Sequence, residues 1–189
     1  MNANETELVE RAARGDANAF NILLGANEQR MYAVALRICG NPEDAKDCLQ
    51  DAMVRVFRAI GDFKGQSAFS TWLYRIVTNT CLDALRRRKK QNSTSLDALV
   101  DEGWSPAQTG GRPEQKLERK ELRNELSKAI QSLPDEMRTA IVLRDVQGCS
   151  YEEIADALNI NLGTVKSRIS RGREKLRGII RNSKELFGM

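Results

Sequence analysis

The residues with the clearest chemistry lie near the end of the chain. Lys166, Ser167, Arg168, Ser170, Arg171, Arg173, Lys175 and Arg177 crowd one stretch, opposed only by Glu174. Cations at this density neutralise phosphate, and Lys, Ser or Arg near the start of a helix can reach base edges in the major groove of DNA. That is the chemistry of holding a polyanion rather than transforming a substrate. The chain has no histidine. It also lacks a phosphate-cradling glycine loop and a framed pair of carboxylates, so the residues give little support to an enzyme. Cys39, Cys48, Cys81 and Cys149 are scattered without a C-x-x-C pair. A zinc site of ordinary spacing is therefore not expected, and the thiols read as small buried or half-buried side chains. No metal and no cofactor is expected.

The elements that must position the basic stretch are legible around it. Ser150-Tyr151-Glu152-Glu153 has the form of a capping box and opens a helix. Ile154, Ala155 and Leu158 point inward, the small Ala155 letting two helices cross closely. Asn159 stands where a tight helix–helix turn needs a left-handed residue. Ile160 plugs the turn, Asn161 caps the second helix, and Val165, Ile169 and Leu176 pin that helix from below. A solvated basic helix in an ordinary bundle would share the charge, but not the ordered set of cap, small residue, turn residue and plug. The pattern is a helix-turn-helix.

Upstream, Glu5 to Arg14 reads as a short helix closed by Gly15, and Asp16 can cap the next element. Asn27 to Cys39 reads as a helix ended by Gly40, and Asn41-Pro42 starts another. Its apolar stripe comprises Ala45, Cys48, Leu49, Ala52, Met53, Val56, Phe57 and Ile60, while Asp44, Asp47, Gln50, Asp51, Arg55 and Arg58 take the opposite face. After a loop at 62–67, a further helix buries Phe69, Trp72, Leu73, Ile76 and Val77. It exposes Thr71, Tyr74, Arg75, Thr78, Asn79 and Asp83, and ends in Arg86-Arg87-Arg88-Lys89-Lys90. Trp72 reads as core rather than as a stacking platform.

Between 91 and 113 the periodicity gives way to Ser, Thr, Asp, Gly and Pro, the composition of a flexible linker, with Trp104 isolated within it. Helical periodicity resumes with Glu114 to Ser132, and Ile141-Val142-Leu143 belongs to a following helix because no partner strand exists elsewhere. The expected fold is all-α, with two small helical domains at 1–90 and 114–189 joined by the linker 91–113. Charge follows the same division. Residues 61–90 carry seven basic groups against two acidic, and residues 161–189 carry eight against two. Two basic foci on an otherwise slightly acidic chain suggest two contacts with one polyanion. With 41% hydrophobic residues the chain can bury cores. It shows neither an apolar run of about 20 residues nor a basic, apolar leader, so a cytoplasmic protein is expected.

These residues resemble a family. Ser150-Tyr151-Glu152-Glu153-Ile154-Ala155, Gly163-Thr164-Val165-Lys166-Ser167-Arg168-Ile169 and Arg171-Gly172-Arg173-Glu174 are similar to region 4 of bacterial sigma factors of the extracytoplasmic-function group. Asp44-Ala45-Lys46-Asp47-Cys48-Leu49-Gln50-Asp51-Ala52 resembles region 2.2 of the same group. Phe63 to Ile76 resembles region 2.3, and Val77-Thr78-Asn79-Thr80 resembles region 2.4. The resemblance implies promoter-directed transcription initiation with no catalysis of its own. Asp47, Gln50 and Asp51 would dock on the β′ clamp helices of core RNA polymerase, and the second domain on the β flap. Phe63, Lys64, Ser67, Asn79, Arg86 and Arg87 would capture the −10 strand. Lys166, Ser167 and Arg171 would read the −35 element, with Arg168 and Arg173 on phosphate. Gly172, unusual inside a helix, would allow close approach to the DNA backbone. Promoter DNA and an anti-sigma factor complete the implied partners, with no small-molecule substrate. The alternative is a stand-alone helix-turn-helix regulator whose first domain dimerises or senses.

Overall fold

A computed structural model of the protein describes residues 3–92 and 124–186. Trp104, the linker from residue 93 onward and the start of the helix expected from Glu114 lie outside the described residues. Gln91 and Asn92 are still helical, so the first domain's last helix runs two residues past the expected boundary. No strand occurs among the described residues.

The first lobe begins with α1 (Ala3–Ala13), closed by Gly15 at φ +93. Asp16 then caps α2 (Ala17–Cys39), accepting from the Asn18 and Ala19 amides while Arg11 grips its other carboxylate oxygen at 2.8 Å. Here the expected helix start at Asn27 is overturned. The Asp16 cap nucleates one long helix, and Gly25 inside it costs only about 1 kcal/mol against Ala. Asn27 is buried mid-helix and donates to the Leu23 carbonyl at 2.9 Å. Gly40, at φ +87, ends α2, and Asn41 caps α3 (Pro42–Ala59) by accepting from the Asp44 amide at 2.8 Å. A single 3-10 turn, Ile60–Asp62, leads through the loop into α4 (Phe69–Asn92). The lobe closes where α2, α3 and α4 meet, around Met31, Val34, Ile38, Val56, Phe69 and Leu73. Trp72 joins that core, packed between Phe63 and Phe69 with ring centroids 5.2 and 5.7 Å away.

The second lobe comprises α5 (124–131), α6 (Asp135–Ile141), α7 (Tyr151–Leu158) and α8 (Leu162–Leu186). Ile141-Val142-Leu143 is helical, but α6 widens into a π turn over Val142–Val146, where the Gln147 amide reaches back to the Val142 carbonyl. Gly148 at φ +75 then frees the chain to enter the Ser150 cap. Ser150 and Glu153 complete a reciprocal capping box, Asn159 adopts φ 51, and the Asn161 carbonyl oxygen of the side chain accepts from the Thr164 amide at 2.8 Å. All these local devices stand where the sequence placed them.

Gly172 does not. A Cβ there would lie 2.9 Å from Cγ1 of Ile141 and 3.6 Å from Cβ of Met137. The glycine faces inward and lets α8 cross α6 closely, rather than offering backbone to DNA.

The lobes are docked. The α4 face expected to be exposed is covered by α7, leaving Tyr74 and Thr78 buried. Thr71 donates to Glu153 at 2.9 Å, and the Asn79 amide to the Ala157 carbonyl at 3.2 Å. At the other edge Gln131 donates to the Arg37 carbonyl at 2.8 Å, and Lys89 pairs with Asp135 at 2.6 Å. Gly40 is favoured by its φ of +87, and a Cβ there would also displace the Gln131 side-chain end, whose Oε1 would lie 2.6 Å away.

Candidate nucleic-acid interface

The basic face of α8 is built by the turn that precedes it. Asn159 reverses the chain, Asn161 caps, and Val165 and Ile169 are buried, which leaves Lys166, Ser167, Ser170 and Arg171 facing solvent. Among the described residues Lys166 and Arg171 have no acidic partner. Arg168 and Arg173 differ. Arg168 pairs with Glu136 of α6 at 2.5 Å, and Arg173 forms a fork with Asp145 of the π turn. The Asp145 hydrogen bond raises the already high Arg173 pKa. The sequence separates these four cations no further than by position on the helix. The structure sorts them into two that are held sideways by carboxylates and two that project.

Along α4, the second set of candidates forms a track rather than a pocket. Lys64 and Ser67 lie in the loop before the helix, and Arg86 and Arg87 near its end. From the start of α4 at Phe69 to Arg86 the helix rises about 26 Å at 1.5 Å per residue. Phe63 is partly buried, edge-on to Phe69 at 5.6 Å. Asn79, midway along, is engaged by Ala157. Arg86 leans on Asp83 at 3.4 Å, which Arg55 also reaches, while Arg87 is exposed.

Asp47, Gln50 and Asp51 share one exposed face of α3, at the i, i+3, i+4 spacing that makes helical neighbours. Two residues near this face were misplaced or passed over by periodicity. Phe57, expected in the core, is 62% exposed and rests edge-on against Phe20 at 5.2 Å. Val54, off the apolar stripe, is 50% exposed. Its position, three residues beyond Asp51 on the polar face, was the available signal.

The cysteines are buried free thiols, but three of them converge. The sulfurs of Cys39, Cys48 and Cys81 all lie within 4.8 Å of one another, and Cys39 is 3.7 Å from Cys48. The hydrogen bond between these two holds the Cys48 thiol well below its ordinary range, helped by Cys81, Arg87 and Arg55. The same bond pushes Cys39 up to about 12, and both neighbours together with burial push Cys81 higher still. No C-x-x-C spacing announced this cluster, because its members come from three helices.

Comparison with known proteins decides what the two lobes are. The profile of sigma-70 region 2 matches residues 23–91, and that of sigma-70 region 4 matches residues 123–176. The RNA polymerase sigma-H factor of Pseudomonas aeruginosa is 38% identical over 176 residues, 91% of each chain. The ECF RNA polymerase sigma-E factor of Escherichia coli is likewise 38% identical, over 89% of this chain and 90% of its own. The chain belongs to the extracytoplasmic-function sigma factors of the sigma-70 family.

This sigma factor directs promoter-specific transcription initiation with RNA polymerase. It is similar in structure to solved chains. The sigma factor RpoE of Bartonella quintana, in complex with the anti-sigma factor NepR, is 26% identical. It aligns over 86% of this chain and 96% of its own, with a TM-score of 0.72. CnrH, in complex with the cytosolic domain of CnrY, is 25% identical over 95% and 99% of the two chains, with a TM-score of 0.66. No described helix of the sigma factor is long and apolar enough to cross a membrane.

Proposed function

We propose that this sigma factor holds a promoter at two places while α3 holds the polymerase. Lys166, Ser167 and Arg171 read base edges of the −35 element, and Arg168 and Arg173 exchange their carboxylate partners for phosphates. Phe63, Lys64, Ser67, Asn79, Arg86 and Arg87 form the track for the −10 strand. Asp47, Gln50 and Asp51 dock on the β′ clamp helices, with Val54 and Phe57 adding apolar area beside them, and the second lobe meets the β flap. The protein acts in the cytoplasm as a binding factor without catalysis of its own.

The observation that carries this reading is the segregation of side chains by helix. The projecting cations lie on α8, the polar and aromatic track on α4 and the loop before it, and the acidic face on α3. Because Asn79 is bonded to Ala157, strand capture requires α7 to leave α4. Polymerase, by spacing the lobes, would supply that separation. An anti-sigma factor, by analogy with the complex of RpoE with NepR, would prevent it.

Run-off transcription with purified core polymerase tests the reading. Initiation should depend on this protein and on both promoter elements. Tight binding to duplex DNA by the protein alone, with no initiation, would instead establish a stand-alone helix-turn-helix regulator.

A further inference from the structure

Cys39 is the last residue of α2, Cys48 lies in the second turn of α3, and Cys81 sits midway along α4. The backbone of three separate helices thus delivers three sulfurs to one point in the first lobe, all within 4.8 Å of one another. The residues are 8%, 4% and 0% exposed. An isolated core cysteine packs as a small apolar side chain. Three drawn from across the lobe and pooled at one point match the donor set of a metal site.

The spacing excludes a disulfide and suits a bound metal ion. An ion bound in the plane of three sulfurs, with bonds of about 2.3 Å, places those sulfurs about 4.0 Å apart. Cys39 and Cys48 stand at 3.7 Å, far beyond the roughly 2.05 Å of a disulfide. No carboxylate joins the group among the described residues, and burial leaves little access for water as a fourth ligand. A closed zinc site wants four donors. Soft thiolates without a fourth donor suit Cu(I). Arg87 and Arg55 act on Cys48 and offset part of the cost of gathering anionic sulfur in the core.

We propose that Cys39, Cys48 and Cys81 form a three-sulfur site for a soft, thiophilic ion of the Cu(I) type. Each thiol binds as thiolate, any proton it still carries passing to solvent, and no electron is transferred. The bound ion ties α2, α3 and α4 together, and so fixes the helix that carries Asp47 and Asp51 against the helix that carries Asn79.

The full-length reduced protein, titrated anaerobically with Cu(I) against a chromophoric chelator, should take up one ion per chain. Its thermal midpoint should rise by roughly 5 °C. X-ray absorption at the copper edge should show three sulfur neighbours at about 2.3 Å. Cys39→Ser, Cys48→Ser and Cys81→Ser should each weaken uptake at least a hundred-fold, whereas Cys149→Ser should bind as the parent does. Circular dichroism verifies the fold of each variant, and Cys→Ala versions replace any serine variant that does not fold. Uptake unaffected by the three substitutions, or lost in Cys149→Ser, overturns the assignment. So does a reduced protein that ignores Cu(I) but loses two hydrogens on mild oxidation, which would make Cys39 and Cys48 a disulfide pair.

Discussion

The Asn79 side-chain amide donates to the Ala157 backbone carbonyl at 3.2 Å, across 78 positions of sequence. A residue of the proposed −10 track is therefore spent on the first helix of the helix-turn-helix while the lobes are docked. Thr71 to Glu153 is the second bond of the same contact.

Loosening this contact should open the molecule. Thr71→Val removes one hydrogen bond, worth about 1 kcal/mol or a five-fold shift toward separated lobes. Ala157→Glu adds a charge where the side chain is 4% exposed. Small-angle scattering should show a larger radius of gyration for both, and single-stranded −10 oligonucleotide should bind more tightly. An unchanged radius in both variants would mean that the lobes are held by something other than this face.

Projecting and paired cations should behave differently on DNA. Lys166→Ala and Arg171→Ala are each expected to cost about 1–3 kcal/mol at the matched −35 sequence and little on altered ones. Arg168→Ala and Arg173→Ala should weaken every promoter alike and reduce the salt dependence of binding. Equal losses across sequences for Lys166→Ala would move that residue to the phosphate class.

On α3, Asp51→Arg reverses the charge of the exposed face without touching the core. Affinity for core polymerase should fall at least ten-fold, about 1.4 kcal/mol, with the thermal midpoint unmoved. Phe57→Ser should weaken the same complex. If both variants bind polymerase as the parent does, α3 is not the docking surface.

At the α6–α8 crossing, Gly172→Ala tests packing against propensity. Alanine gains about 1 kcal/mol as a helix former. Its Cβ would press on Ile141, which is buried in the core, and such overpacking costs about 1–3 kcal/mol. Thermal unfolding of the second lobe should show net destabilisation. A stabilised variant would show that α6 can yield at no cost.

Acid should weaken the α7 cap. Glu153 accepts from the Ser150 amide at 2.7 Å and from Thr71, and the Ser150 bond is the chief reason its pKa lies below the ordinary value. Because the folded value is depressed, the stabilisation is full above the unfolded carboxylate range near about pH 4.3. It is lost as pH falls through the lower folded value. Glu153→Ala should cost about 1 kcal/mol at neutral pH, with variant and parent melting curves converging in the acid range. A gap that persists there would assign the loss to the packing of the Glu153 side chain rather than to its charge, since alanine is the better helix former.

Local chemistry carried much of the fold in the sequence. The stops and caps at Gly15, Asp16, Asn41, Ser150, Asn159 and Asn161 each act through hydrogen bonds or backbone angles within a few residues. Their residue types were enough to place them. The basic face of α8 was equally legible, since one helical turn's spacing decides which side chains share a side.

What lay beyond the sequence depended on which surfaces meet. Periodicity made Phe57 core and Thr78 surface, yet Phe57 stays exposed on α3 while α7 covers Thr78, because a helical stripe names a face but not its neighbour. Gly172 looked like an opening for DNA until Ile141 stood against it. Cys39, Cys48 and Cys81 carry no local spacing signal, since their meeting is fixed by the crossing of three helices. The sequence by itself determined the helices, their caps and the charge they present. Only the tertiary structure decided which of those side chains project, which are held, and which sulfurs share a point in space.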